Sequence, residues 1–454
     1  MDLILTGRKI VLSDRIISGY IKVKDGKICQ IEETIPDVAQ IRDENSCKII
    51  DAEELVIMPG VVDSHVHINQ PGRTQWEGFE TATQAAASGG ITTLVDMPLN
   101  SIPPTTTVQG LKAKMQSAQG KCWVDLAFWG GVIPGNQDEL QDMIRMGVRG
   151  FKCFLIHSGV EEFPHVSEAG VCTALEKMRG FGSVLLFHAE VDEGIPVSKD
   201  DKQKYDTFLK TRPESMENKA IEMVIHLCDH YRVPCHIVHL SSGSALDSIR
   251  SARSSGIPLT VETTHHYLSL TAEEVPDGAT QYKCCPPIRD RSNQEVLWNA
   301  VKFRDIDLVV SDHSPCTPDL KLLDQGDFIG AWGGISSLQY GLSLFWSGAR
   351  CRGLGLHDVV RVLCEQPSKL CSLQHRKGMI SVGKDADFVI WDPNEEFMVK
   401  SSDIRHRNKV TPYAGKKLFG RVHQTILRGQ VVFSGNTVHE EPLGDFLLDG
   451  TQPR

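Results

Sequence analysis

Apolar and polar residues alternate over short runs at both ends of the chain: residues 4–11, 19–23 and 28–31 near the start, and 388–391, 424–427 and 431–433 near the end. A period of two is that of a strand with one buried face. Asp25-Gly26 lies between the second and third runs and Arg428-Gly429 between the last two, each a hairpin-turn signal. Two β-rich flanks around a long middle predict one small module assembled from both termini, a β-sandwich of residues 1–55 plus 379–454.

The middle, residues 56–378, alternates short apolar runs with longer helical patterns, the rhythm of a parallel sheet. Eight runs read as strands: 56–67, 92–97, 124–130, 150–155, 184–189, 236–240, 259–263 and 308–311. Eight is the count of a closed barrel, and a span of roughly 320 residues suits one with loop insertions. An open doubly wound sheet would carry a glycine-rich phosphate turn after its first strand, and none is present. The expected fold is α/β, a (β/α)8 TIM-type barrel beside the terminal sandwich.

Composition narrows the partners. With 454 residues, 41% of them hydrophobic, and a formal net charge of -10, the chain is an ordinary globular protein with no basic face for nucleic acid. No apolar run reaches the length of a membrane span, and the start lacks the pattern of a secretory signal. Thirteen cysteines, an odd number without a CxxC pair, read as reduced thiols. The final Gln452-Pro453-Arg454 is not a peroxisomal tripeptide, so the cytosol is expected, with peroxisome and mitochondrion left open.

Chemistry concentrates where the strands end. Strand alternation points His65 and His67 of Asp63-Ser64-His65-Val66-His67 to the same side, where two imidazoles can share a cation. Alone, such a pair is a weak signal, since single histidines are often core residues or exposed. Side chains at the C-terminal ends of barrel strands converge on one mouth, and candidates recur there: Lys152, His188, His239 and Asp312. Each has a bland reading, a snorkelling lysine or an aspartate capping a helix, but six such placements together point to a metal centre. Imidazole and carboxylate donors suit zinc first, with manganese, cobalt or iron as alternatives.

This set resembles that of the amidohydrolase superfamily and, within it, the cyclic amidases. The resemblance implies two divalent metal ions: one held by His65, His67 and Asp312, the other by His188 and His239. It also implies that Lys152 is N6-carboxylated and bridges both. A desolvated amine has a lowered pKa and can take up carbon dioxide to become an anionic oxygen donor. Two ions a few ångströms apart can share a hydroxide and polarise an amide carbonyl, with Asp312 as the catalytic proton carrier. A homo-oligomer, a tetramer by the same likeness, is expected.

Three loops refine the substrate. Residues 68–79, with Arg73-Thr74-Gln75-Trp76-Glu77-Gly78-Phe79, resemble the loop of the allantoinase branch, which opens the hydantoin ring of allantoin to allantoate. Dihydroorotases carry an arginine where Asn69 stands, so a substrate without that carboxylate is implied. In residues 95–106 the prolines stiffen the chain around Asn100, whose amide offers the donor and acceptor that a ureide can use. Residues 283–289 resemble the ring-contacting loop of hydantoinases, with Cys285 where serine is common. Ser314, Gly333 and His157 are further candidates for substrate contact, and His313 reads as pointing elsewhere. Ser336-Ser337 departs from the small residue followed by glycine of related enzymes. The alternatives are a hydantoinase or dihydropyrimidinase, a sugar-phosphate deacetylase, which would lack the bridging lysine, and a non-catalytic scaffold, which would lose ligands.

Overall fold

The chain crosses between two kinds of sheet at Pro59-Gly60. In the computed structural model, which describes residues 2–34, 47–196 and 201–449, the first run of the middle region splits there into two strands. The C-terminal tripeptide weighed above lies outside the described residues. Strands β1 (Leu3–Val11), β2 (Ile16–Lys24), β3 (Lys27–Glu32), β4 (Lys48–Asp51) and β5 (Val56–Pro59) belong to the terminal sheet. β5 pairs with β1 and with a strand near the other end of the chain, whereas the run after Gly60 turns into the parallel strands. A Cβ at Gly60 would lie 2.2 Å from Thr92 Oγ1, so this crossing requires glycine.

The parallel strands are β6 (Val61–Val66), β7 (Ile91–Asp96), β8 (Asp125–Phe128), β9 (Gly130–Gly131), β10 (Phe151–Phe154), β11 (Leu185–His188), β12 (Cys235–Ile237), β13 (Leu259–Thr264) and β14 (Leu308–Val310). They form a three-stranded sheet, β6-β7-β8, and a six-stranded sheet, β14-β13-β12-β11-β10-β9. Only Trp129 separates β8 from β9, and a parallel bridge joins Val66 at the end of β6 to His313 beyond β14. Apart from β8 and β9, helices lie between successive parallel strands, several opened by side-chain caps: Thr107 accepts from Gly110 N, Ser167 from Gly170 N, and Asp290 from Asn293 N. One core cluster gathers Val95, Met97, Ala127, Trp129, Leu186 and Val238 from these strands with Leu447 of the C-terminal tail. The tail reaches it by pairing with β8, where Leu126 N donates to Asp445 O and Leu447 N to Leu126 O.

β15 (Phe388–Met398), β16 (Lys417–Leu427), β17 (Gln430–Ser434) and β18 (Thr437–Val438) complete the terminal sheet. Its nine strands run β18-β17-β16-β15-β5-β1-β2-β3, with β4 on β1, so both ends of the chain share one sheet. Both two-residue turns read from the sequence are present. Asp25 and Gly26 (φ 51° and 75°) join β2 to β3, and Arg428 and Gly429 (φ 45° and 77°) join β16 to β17. Left-handed φ at both central residues matches the twist of the strands they connect.

Candidate metal centre

Six chemistry-bearing side chains arrive from five of the parallel strands or the residues just beyond them. His65 is the penultimate residue of β6 and His67 follows it; Lys152 lies in β10, His188 ends β11, and His239 and Asp312 each stand two residues beyond β12 and β14. Asn69, Asn100, His239 and Asp312 have φ between 40° and 65°, a conformation that L-residues adopt uncommonly and that clusters at functional sites. One cavity of about 550 Å³ is lined by all six, together with Asn100, His157, Cys285, Ser314 and Gly333. His313 is not among its lining residues.

Proton accounting tests whether these groups suit a cation. His65 Nδ1 lies 2.5 Å from Glu262 Oε1, and its other nitrogen, buried and without a hydrogen-bond partner, lies 3.2 Å from Asp312 Oδ1. His67 Nε2 is 3.6 Å from the same oxygen. The donor atoms of His65, His67 and Asp312 all fall within 4.8 Å of one another. On the other side, His188 Nε2 meets Glu190 Oε2 at 2.7 Å, which leaves Nδ1 as a lone pair 3.0 Å from His239 Nε2. His239 Nδ1 is buried and unpartnered.

Burial, with a contribution from the Lys152 charge, lowers the pKa of His65, His188 and His239, so these rings are neutral, the form that ligates. Burial raises Glu262 to about 8 and Asp63 to about 6. Neutral imidazole nitrogens without hydrogen-bond partners, facing one another beside a carboxylate, are the donors that a divalent metal takes. The donor set fits the metal that the sequence implied. A second acidic group, Asp125, Asp385 and Asp387, differs: Lys377 Nζ lies 2.6, 2.9 and 2.6 Å from them and is already their cation.

Lys152 is 1% exposed and burial pushes its pKa down to about 8, so about a tenth of the amine is unprotonated at pH 7. Phe154 stacks on His188 at 4.4 Å between ring centroids and shields the site. Ser314 Oγ donates to Asp312 Oδ1 at 3.1 Å, and Asn100 Nδ2 lies 3.4 Å from His67 Nδ1 while its Oδ1 is buried without a partner. A Cβ on Gly333 would come within 3.2 Å of Cys285 Sγ, so the two form one wall. His157 stands at the rim, its side chain 60% exposed. Trp76 meets Trp332 edge-on at 4.7 Å, and Arg73, over the Trp76 ring, pairs with Glu162.

Sequence reading passed over the carboxylates behind the histidines. Glu262 bonds His65 and, at 3.1 Å, His236 Nε2; Glu190 bonds His188 and, at 2.5 Å, Arg212 Nη1. Such partners fix ring orientation and tautomer. The Glu190 of His188-Ala189-Glu190 was a local signal, two residues from a candidate ligand, whereas Glu262 had none.

The model of the amidohydrolase family matches residues 56–432. The chain is 54% identical to the mitochondrial allantoinase of Aquarana catesbeiana, over 82% of this chain and 76% of that protein. It is 48% identical to the allantoinase of Saccharomyces cerevisiae, over 87% and 86%. Among solved structures, the L-hydantoinase (dihydropyrimidinase) of Arthrobacter aurescens superposes with a TM-score of 0.90 at 31% identity, covering 98% of this chain and 99% of that one.

Proposed function

The chain belongs to the amidohydrolase family, and from that membership we propose that it hydrolyses the hydantoin-ring amide of allantoin to give allantoate. It is a hydrolytic, metal-dependent enzyme. The observation that carries the reading is the convergence of His65, His67, Lys152, His188, His239 and Asp312 on one cavity. The fold reading that accompanies it closes the parallel strands into a (β/α)8 barrel over residues 56–378. The sheet of residues 1–55 and 379–454 folds beside it as a β-sandwich. The short link at Trp129 and the Val66–His313 bridge support closure at both seams.

His65, His67 and Asp312 would hold one divalent ion and His188 and His239 a second, with zinc the first choice for these donors. Lys152 would serve as the bridge once its neutral amine had added carbon dioxide: an N–C bond forms, one proton is released, and the resulting carbamate would supply anionic oxygen to the ions. When bound, the metals polarise the amide carbonyl and make water nucleophilic at neutral pH. Asp312, kept below the usual carboxylate range by His67 and His266 against the effect of burial, stays ionised. Its carboxylate takes the proton of the attacking water and passes it to the ring nitrogen as the amide bond breaks. Asn100 presents an acceptor and a donor to the ureido arm, and Cys285, Ser314, Gly333 and His157 contact the ring or its substituent. The scattered cysteines support a cytosolic home, and the resemblance to the cyclic amidases a homo-tetramer. Among the described residues no helix is long and apolar enough to cross a membrane.

A parallel assay of metal-loaded protein on allantoin, hydantoin, dihydrouracil and dihydroorotate tests the substrate. Turnover of allantoin far above the other three is expected. Preference for another ring would keep the chemistry and replace the substrate, and metal binding without turnover of any ring would mark a scaffold.

A further inference from the structure

Glu77 and His313 are fully buried, do not line the cavity, and take no part in the chemistry above. His313 Nε2 lies 3.1 Å from Glu77 Oε2, while Nδ1 accepts from the main-chain N–H of Ser337 at 3.1 Å and of Leu338 at 3.4 Å. A ring nitrogen that accepts N–H groups carries no proton, so Nε2–H is the donor and Glu77 the acceptor. The other oxygen of Glu77 accepts from Arg407 N at 3.0 Å. The main chain of His313 is fixed as well: its N–H donates to Ser311 Oγ at 3.1 Å, and its carbonyl accepts from His67 N at 2.8 Å.

Asp312 lies between these anchors at φ 43°, which costs an L-residue about 1 kcal/mol or more and persists only where the surroundings impose it. Asp312 faces the cavity while its neighbour is tied behind. We propose that Glu77 and His313 are a positioning pair. By holding the imidazole behind the strand end, they set the direction of the Asp312 carboxylate and, through the carbonyl of His313, the seat of His67. The inference rests on the role given to Asp312 above.

The test compares H313N, E77Q and the double variant with the parent protein. Asparagine can keep the acceptor for Ser337 N but cannot reach Glu77, and glutamine at position 77 offers one acceptor where His313 and Arg407 need two. Expected are unchanged metal per subunit, kcat lower by roughly 10–100-fold, KM little altered, and a double variant no worse than the weaker single one. The visible absorption of the cobalt-loaded protein should also shift. Lower melting temperature and metal loading with unchanged kcat per loaded subunit would overturn the proposal, leaving a structural tether. If H313N fails to fold, E77Q, which removes no volume, carries the same comparison. If the parent protein does not hydrolyse allantoin, the functional reading fails by itself. The pair is then judged by the cobalt spectrum, which supports it if shifted and refutes it if unchanged.

Discussion

K152A loses at least one of its metals and at least ~10³-fold in turnover, about 4 kcal/mol of transition-state stabilisation. The expectation follows from where the lysine sits. Lys152 is 1% exposed and lines the cavity with the four histidines and Asp312. An ordinary ammonium there would repel two divalent ions, whereas a carbamate would attract both. Alanine leaves a gap of the right size for a small carboxylic acid, so propionate in the buffer should restore part of the activity. Metal analysis and kcat on the same preparation provide the check. Full turnover with full metal in K152A would remove the bridging role and leave the lysine as a buried cation balancing Glu262 and Asp312.

D312N separates the two duties of one side chain. Asparagine keeps the shape and one oxygen that can ligate, but it cannot accept and return a proton. Activity should fall by ~10²–10⁴-fold, the usual range for a general acid–base group, while metal content falls far less. Equal loss of metal and activity would mean that Asp312 is a ligand only. Its neighbours make a gross rearrangement in the variant unexpected: Ser314 Oγ bonds Oδ1 at 3.1 Å, and the main chain on both sides is pinned through Ser311 and His313.

Features carried by local pattern were legible before any coordinates. Alternation and two-residue turns placed the terminal strands, and the recurrence of histidine, lysine and aspartate at strand ends assembled the site residue by residue. The errors share a cause. The run 56–67 read as one strand because apolar residues stand on both sides of Pro59-Gly60. The break at Pro59-Gly60 becomes compulsory only when Thr92 of a neighbouring strand packs against it. In β13, Thr260 and Glu262 alternate with Leu259 and Val261, the pattern of a solvent-facing side. That side instead receives His236 on Thr260 Oγ1 at 2.7 Å and both His65 and His236 on Glu262. Partners of Glu262 lie 26 and 197 residues away, a separation no local pattern encodes. Glu77 was quoted only as part of a loop likeness; its bond to His313, 236 residues on, needed the fold.

Dependence of allantoin hydrolysis on metal held by this cluster can be read from a single titration. Protein stripped by a chelator is reconstituted with increasing zinc while allantoate formation and bound metal are followed together. Negligible turnover is expected in the stripped protein, with recovery that levels off near two ions per subunit. Hydrolysis that survives complete removal of metal would contradict that dependence.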